Sequence, residues 1–296
     1  MNTHNRIKLS IFVLIIVLVV AAYFIANPKE NDWIGISLHS LSANEAQIVN
    51  ASGASWIRID VFPEFETDIK NAKAYDLNVL AILDSWMFNQ TMTFTLEEWQ
   101  KNVTYYVSQY ADKVDAWEIW NEPAHPDYTL TADFYYRMVE IASPIIREYD
   151  PSAKIVLFGG LNLWSGGDSH LELDKNFSSE LAYRNIEQYG DVVSLHAYPW
   201  SETIESSLWQ RYDESLAYYR ELLNLEFWVT ETGHPIDFEG ESSQAQYMRD
   251  SIDYFKGKAT KVFWYSLVDN AWEDKNFGLI DGETPRLAYY ELKIVN

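Results

Sequence analysis

The stretch Trp117–Pro123, with the sequence WEIWNEP, decides the fold of this chain. An apolar run ends there in an amide, a carboxylate and a proline, which is the pattern of a buried strand stopped by the proline. Such a strand delivers Asn121 and Glu122 to its C-terminal end. A second stretch, Phe227–Gly233 with the sequence FWVTETG, has the same character, because its apolar run leads to Glu231 and then to a glycine turn.

Short apolar segments alternate with amphipathic segments along residues 33–296, and their periodicity predicts strands and helices in turn. The predicted strands are Trp33–Ser37, Trp56–Val61, Leu77–Leu83, Ala116–Trp120, Lys154–Phe158, Val192–Ala197, Phe227–Thr230 and Val262–Leu267. The predicted helices are Ala43–Asn50, Phe65–Tyr75, Leu96–Ala111, Ala132–Tyr149, Ser179–Tyr189, Glu214–Leu223, Ser243–Phe255 and Leu287–Ile294. Near-continuous apolar strands are typical of parallel strands that are covered on both faces.

Eight strand–helix units match a (β/α)8 TIM barrel in count, order and length. The predicted fold class is therefore α/β, with a single barrel domain over residues 33–296. A doubly wound open sheet is the structural alternative, and it would need a ligand site at a switch point of the sheet. No glycine-rich phosphate loop follows a predicted strand, which counts against that alternative.

Residues 1–32 form a separate region with a membrane signal. The apolar run Leu9–Ala26 reaches the lower limit of about 17 residues for a helix that spans a bilayer. Arg6 and Lys8 precede it, which predicts a cytoplasmic stub, an N-terminal hydrophobic anchor helix and a short linker. A cleaved signal peptide is the alternative, with Val20–Ala22 as a small-residue cleavage site. In both cases we expect the domain to lie outside the cell, membrane-anchored or secreted.

The composition excludes several classes of function. A formal net charge of −22 over 296 residues repels nucleic acids and anionic polymers, whereas a neutral glycan is not repelled. The chain has no cysteine, so disulfides, thiolate metal sites and a cysteine nucleophile are excluded. Aromatic residues make up 16% of the chain, and aromatic faces pack well against the apolar C–H surfaces of sugars.

The predicted strand ends are polar and aromatic, while the strand interiors are apolar. Barrel enzymes carry their sites at the C-terminal ends of the strands. The candidates there are His39, Arg58, Asp60, Asp84, Ser85, Trp86, Asn121, Glu122, Asn162, Trp164, His196, Tyr198, Trp200, Glu231, Trp264, Tyr265, Asp269 and Asn270. Two strand-end glutamates are what glycosidic-bond hydrolysis needs, one as proton donor and one as nucleophile.

Several of these segments resemble a known group of enzymes. Trp117–Pro123 resembles the fourth-strand signature of the retaining glycoside hydrolases of clan A, His196–Pro199 resembles their sixth-strand segment, and Val229–Gly233 resembles their seventh-strand nucleophile segment. Gly278–Asp281 and Pro285–Tyr290 are similar to the tail after strand 8 in several of these families. The resemblance covers essentially the whole domain and is closest to families 39 and 5, without singling out one family.

The resemblance implies a retaining β-glycoside hydrolase that acts on oligo- or polysaccharide by double displacement. Glu122 would be the general acid/base and Glu231 the nucleophile. Arg58 and Tyr198 would keep Glu231 ionised, and Asn121 would bind the sugar 2-hydroxyl. A structural ion pair with Asp60 or Glu118 is the alternative role for the arginine.

The remaining candidates have supporting roles. His196 would contact substrate or orient a carboxylate, Trp264 would form the floor of the sugar subsite, and Trp86 and Trp164 would be platforms further along a cleft. The loop Gly159–Asn176 would wall one end of that cleft. Three further residues are candidates by position alone: His39, Asp84 and Asn162.

The same pattern implies no metal or organic cofactor, because two carboxylates suffice and no His/Asp cluster has ligand spacing. Two alternatives stay open at this point. One is a non-catalytic glycan-binding barrel, and the other is a transglycosylase that uses the same two glutamates. The predicted partners are a carbohydrate substrate and, through residues 9–26, a membrane.

Overall fold

The computed structural model describes residues 32–91, 93–126, 130–164, 170–199, 207–271 and 273–295. The predicted membrane segment Leu9–Ala26 lies outside these residues, as does Trp200. Within the ranges given, no helix is both long enough and apolar enough to cross a bilayer.

Eight parallel strands close into a barrel in chain order, which confirms the predicted (β/α)8 fold and rules out the open sheet. The strands are β1 (Ile34–Leu38), β2 (Trp56–Asp60), β3 (Asn78–Leu83), β4 (Ala116–Ile119), β5 (Lys154–Asn162), β6 (Val192–Ala197), β7 (Glu226–Thr232) and β8 (Lys261–Tyr265), followed by a small antiparallel pair, β9 (Ile280–Asp281) and β10 (Thr284–Pro285). The barrel closes where β1 pairs with β8, with Ile34 opposite Val262.

Helices follow the strands and cover the outside of the barrel. They are α1 (Ala43–Ser52), α2 (Phe65–Lys73), α3 (Leu96–Tyr110), α4 (Ala132–Tyr149), α5 (His170–Tyr183), α6 (Leu208–Leu222), α7 (Ile236–Phe255) and α8 (Leu287–Val295), with 3₁₀ turns at Ser85–Phe88 and Ile186–Tyr189. Local capping explains several starts. Thr95 and Glu98 form a capping box at α3, since the Thr95 hydroxyl accepts from the Glu98 N–H at 3.2 Å and the Glu98 carboxylate accepts from the Thr95 N–H at 2.8 Å.

Strand side chains alternate between two apolar cores. One core fills the barrel interior and consists of Trp56, Leu80, Ala116, Val156, Val192, Trp228 and Phe263. The other lies between the strands and the helices, and Trp117 and Trp264 belong to it. Because successive residues of a strand point to opposite faces, Glu118 on β4 points inward like Ala116.

The fifth strand–helix unit differs from the prediction. β5 continues past Phe158 to Asn162, and α5 begins at His170 rather than at Ser179. The prediction that Gly159–Asn176 is a loop walling one end of the cleft is therefore wrong, because most of these residues belong to the strand or the helix. α6 and α7 also begin earlier than predicted, at Leu208 and Ile236, and α7 is interrupted by non-helical backbone at Glu239 and Gly240.

Gly159 and Gly160, the first residues of the expected loop, form a bulge in β5. The register of β5 against β6 shifts between Leu157 and Leu161, and Gly159 and Gly160 have φ of 54° and 103°. A Cβ on Gly160 would stand 2.3 Å from His196 Nε2, and a Cβ on Gly159 would stand 2.4 Å from the carbonyl oxygen of Trp120. Glycine is needed here because both the backbone conformation and the close neighbours exclude a side chain.

We expect Gly160→Ala to lower the free energy of unfolding by about 2–4 kcal/mol, since it adds a clash with His196 to a left-handed backbone. Gly257→Ala is the matched control, because Gly257 has φ of 78° but no atom within 4 Å of its Cβ position. The control should cost only about 1 kcal/mol. Urea unfolding of both variants measures the difference, and equal losses would contradict the packing role of the bulge.

Candidate active site

A cavity of about 700 Å³ opens at the C-terminal ends of the barrel strands. It gathers many of the predicted strand-end residues into one place. Its lining includes His39, Arg58, Asp60, Asp84, Trp86, Asn121, Glu122, Asn162, Tyr198, Glu231 and Tyr265. Within the described ranges, no group of three or more His, Asp or Glu side chains is arranged to hold a metal ion.

The guanidinium of Arg58 is the central cation of this cavity. Its Nε donates to Glu118 Oε2 at 2.6 Å, and its Nη1 donates to Glu231 Oε1 at 2.5 Å. Its Nη2 donates to Asn121 Oδ1 at 2.7 Å, and Ser37 Oγ lies 3.2 Å from Nη1. Arg58 is thus both the structural partner of Glu118 and a cation beside the predicted nucleophile, so the two roles predicted as alternatives coexist.

His196 connects the two glutamates. Its imidazole is fully buried, its Nδ1 is hydrogen-bonded to Glu122 Oε1 at 2.8 Å, and its Nε2 lies 3.7 Å from Glu231 Oε1. Because one small ring makes both contacts, the two carboxylates lie within about 10 Å of each other, the range that glycosidases use. Burial by itself would lower the pKa of His196, but the charges of Glu231 and Glu122 and the hydrogen bond to Glu122 raise it.

Glu231 has the environment of an ionised carboxylate. The Tyr198 hydroxyl donates to Glu231 Oε2 at 2.6 Å, opposite the oxygen that Arg58 contacts. Burial would raise the pKa of Glu231, but the charges of His196 and Arg58 and the hydrogen bond from Tyr198 outweigh burial and lower the pKa.

Glu122 reaches the cavity through a turn at the end of β4. Trp120 and Glu122 have φ of 69° and 44°, and the Glu122 N–H donates to the Gly159 carbonyl at 2.6 Å. The β5 bulge thus holds the backbone of Glu122, and its Gly160 leaves room for His196. The side chain of Glu122 is 23% exposed and that of Glu231 is 12% exposed, so the first carboxyl is the more open to solvent.

The opposite wall of the cavity is a chain of hydrogen bonds from β2 to the segment after β8. Asp60 Oδ2 is 2.6 Å from His39 Nδ1, and His39 Nε2 is 3.0 Å from the Tyr265 hydroxyl. The Tyr265 hydroxyl in turn donates to Glu273. Burial would lower the pKa of His39, but the hydrogen bond to Asp60 and the charge of Asp60 raise it.

Asp84 and Trp86 also lie on this wall. Asp84 caps the 3₁₀ turn Ser85–Phe88, because its Oδ1 accepts from the Trp86 N–H at 2.9 Å. Burial, followed by the negative charge of Asp60, raises the pKa of Asp84 well above its usual range. Trp86 lines the cavity with its ring 5.9 Å from that of His39, so it lies where a sugar platform was predicted.

Two predicted aromatic residues lie away from the cavity. Trp264 is 2% exposed and packs in the outer core, with its ring 6.1 Å from that of Tyr247 on α7. Because neighbouring strand residues point to opposite faces, Tyr265 lines the cavity and Trp264 does not. The prediction that Trp264 forms the floor of the sugar subsite is therefore wrong. Trp164 is covered by the guanidinium of Arg211, whose Cζ is 4.1 Å from the ring centroid. It is absent from the cavity lining, contrary to its predicted role as a platform.

Other lining residues were not predicted as site residues. The segment after β8 contributes Glu273, Asp274, Lys275 and Phe277, and the segments after β4 and β5 contribute His125 and His170. These residues carry no motif, and only their distance downstream of a strand end could have suggested them. Behind the cavity, Asp174 accepts from the N–H and side-chain amide of Asn162 at 2.9 and 2.8 Å. Burial raises the pKa of Asp174 to about 6.

Three solved glycoside hydrolases share this fold with the chain. One is a family 39 glycoside hydrolase from the gut symbiont Bacteroides cellulosilyticus WH2, with a TM-score of 0.68 and 18% identity over 88% of this chain and 62% of that one. A second is a family 128 endo-β-1,3-glucanase from Amycolatopsis mediterranei in complex with laminarihexaose, with a TM-score of 0.61 and 18% identity over 90% of this chain and 100% of that one.

A third is an endocellulase from Pyrococcus horikoshii in complex with cellotetraose, with a TM-score of 0.68 and 13% identity over 88% of this chain and 91% of that one. No protein-family model matches the chain. The sequence motifs resembled clan A without singling out a family, and the neighbours likewise come from more than one family. At these identities, what the chain shares with these enzymes is the fold.

We expect Arg58→Met to lower the free energy of unfolding by about 3–5 kcal/mol, because it leaves Glu118, which is fully buried, without its cation. Arg137→Met is the matched control, since Arg137 pairs with Glu140 on the exposed face of α4 and its loss should change the free energy of unfolding little. Urea unfolding at pH 7 measures both. A loss at Arg58 no larger than the control loss would contradict the structural role of the buried ion pair.

Proposed function

We propose that this protein is a retaining β-glycoside hydrolase with Glu231 as nucleophile and Glu122 as general acid/base. The observation that carries the proposal is the unequal environment of the two carboxylates around His196. Glu231 receives hydrogen bonds from Arg58 and Tyr198, whereas His196 is the partner of Glu122. Carboxylates in unlike environments are what acid and nucleophile roles require.

The proposed reaction has two displacements at the anomeric carbon. In the first, a Glu231 oxygen attacks C1, the bond from C1 to the leaving oxygen breaks, and Glu122 gives its proton to that oxygen. In the second, Glu122 takes a proton from water, the water oxygen attacks C1, and Glu231 is released. Asn121 is held by Arg58 at the cavity edge, where it can bind the 2-hydroxyl of the sugar.

A neutral oligo- or polysaccharide is the proposed substrate. The net charge of −22 disfavours anionic polymers, and two of the fold neighbours are glucanases in complex with laminarihexaose or cellotetraose. Transglycosylation by the same residues remains the second candidate, because it differs only in whether water or a second sugar accepts the glycosyl group. Sizing the products from a defined oligosaccharide separates the two, since longer products arise only by transfer.

The proposal includes a location outside the cell, which rests on the apolar run Leu9–Ala26 behind Arg6 and Lys8. N-terminal sequencing of the protein from its native host tests the form of export. A mature chain that begins after Ala22 indicates a cleaved signal peptide, and an intact N-terminus in the membrane fraction indicates an anchor.

We expect Glu122→Ala and Glu231→Ala each to lower kcat for an aryl β-glycoside by about 10²–10⁴-fold. Azide should then rescue each variant differently. It should form a β-glycosyl azide with Glu122→Ala, by attacking the covalent intermediate, and an α-glycosyl azide with Glu231→Ala, by taking the place of the nucleophile. NMR of the products identifies the anomer.

Glu140→Ala is the matched control, because this glutamate lies on the outer face of α4 and should retain full activity. Exchanged azide anomers would reverse the two roles. Wild-type protein that binds glycans without turning over any of a broad glycoside panel would instead favour the glycan-binding alternative.

We expect Tyr198→Phe to move the acid limb of the kcat/KM profile to higher pH. The hydroxyl stabilises the ionised form of Glu231, so its loss raises the Glu231 pKa, and less of the nucleophile is ionised at a given acidic pH. The profile is measured with an aryl β-glycoside between pH 3 and about 9, the span over which a carboxylate pair titrates. An unmoved acid limb, or one moved to lower pH, would contradict the assignment of Glu231.

A further inference from the structure

Two buried carboxyl groups beside the proposed nucleophile have no part in the reaction described so far. Asp60 is 4% exposed and Asp84 is 5% exposed, and both line the cavity. Asp60 follows Arg58 by two residues on β2, so its side chain points to the same face as the guanidinium that holds Glu231. Asp84 follows the end of the neighbouring strand β3, two residues beyond Ile82, which is the register partner of Asp60.

Each of these carboxyl groups uses one oxygen within the protein and leaves the other for the cavity. Asp60 Oδ2 contacts His39, and Asp84 Oδ1 accepts from the Trp86 N–H. Within the part of the chain that the structure describes, no hydrogen-bond donor reaches Asp60 Oδ1 or Asp84 Oδ2, and neither atom is sealed from solvent. Two carboxyl oxygens that line one cavity and receive no donor from the protein can accept hydrogen bonds from the hydroxyl groups of a ligand.

The charged groups around these two oxygens indicate what charge the ligand can carry. Glu273 and Asp274 add two more carboxyl groups to the same side of the cavity. Arg58 is already paired with Glu118 and Glu231, and the lysine of the lining, Lys275, lies over the Phe238 ring at 4.8 Å. The carboxyl groups on this side outnumber that lysine, so a carboxylate on the ligand would meet a repulsive arrangement.

The geometry points to Asp60 and Asp84 as the residues that recognise the glycone, the sugar unit attacked by Glu231. They bind neighbouring hydroxyl groups of a neutral sugar and reject a uronate. This inference rests on the proposed function, because it takes the cavity to be the sugar site.

The test compares matched neutral and anionic glycones. The substrates are 4-nitrophenyl β-D-glucoside with the β-D-glucuronide, and the β-D-galactoside with the β-D-galacturonide. The variants are Asp84→Asn and Asp60→Asn, and Asp253→Asn on the exposed face of α7 is the control for loss of one charge. Asn at position 84 still caps the 3₁₀ turn, so the variant removes the charge and keeps the local fold.

We expect the wild type to prefer the neutral member of each pair, and we expect Asp84→Asn or Asp60→Asn to reduce that preference in kcat/KM by about tenfold or more. A purely structural role would lower both rates together and leave their ratio unchanged. Ratios within twofold of wild type in both variants, or an equal change in Asp253→Asn, would overturn the inference. If one of the two variants does not fold, the other decides.

Binding measurements test this inference separately from the proposed function. The same four glycosides are titrated calorimetrically into wild-type protein and into Glu122→Gln, which should not turn over. If wild type binds the neutral glycosides selectively, Asp84→Asn loses that selectivity, and wild type turns over none of them, glycone recognition by Asp60 and Asp84 is supported and the hydrolase is refuted. Turnover that neither aspartate substitution affects would refute the role of Asp60 and Asp84 and leave the hydrolase proposal standing. A protein that neither binds nor turns over any of the four glycosides would refute both proposals.

Discussion

The shared guanidinium of Arg58 is the interaction on which the rest of this site depends. Two carboxylates below and beside the cavity, Glu118 and Glu231, would be costly to bury alone, and one planar cation with fixed donor directions pairs with both. The same group also donates to Asn121. The barrel interior, the proposed nucleophile and the proposed sugar-binding amide are therefore held by one side chain, whose own position follows from the inward face of β2.

The second constraint is steric and lies on the other side of the barrel. His196 can contact Glu122 and approach Glu231 only because β5 bulges at Gly159 and Gly160, where a Cβ would collide with the imidazole or with the backbone of Trp120. The bulge also supplies the carbonyl that accepts from the Glu122 N–H. Charge thus orients Glu231 and backbone shape orients Glu122, which is how two carboxyl groups in one cavity come to have unlike surroundings.

The acidic character of the chain has a local counterpart in the cavity. Asp60, Asp84, Glu273 and Asp274 line its β2–β3 and β8 side, where they outnumber the lysine of the lining, Lys275. Tyr265 and His39 tie this side together from β1 to the segment after β8. A wall of acceptors suits a hydroxyl-rich, uncharged ligand, so the global charge and the local geometry favour the same kind of partner.

The sequence alone determined the strands, the barrel and the two glutamates, because strand periodicity and strand-end polarity are local patterns. The bounds of α4 were predicted without error, and those of most strands within two residues. Tertiary structure decided what depends on distant contacts. Whether Trp264 or Tyr265 faces the cavity depends on the phase of β8 in the closed barrel, and Gly159–Gly160 form a bulge rather than a loop because His196 and Trp120 pack against them. Likewise, His39 meets Tyr265 only because β1 pairs with β8 across the closure of the barrel, a contact that no local pattern encodes.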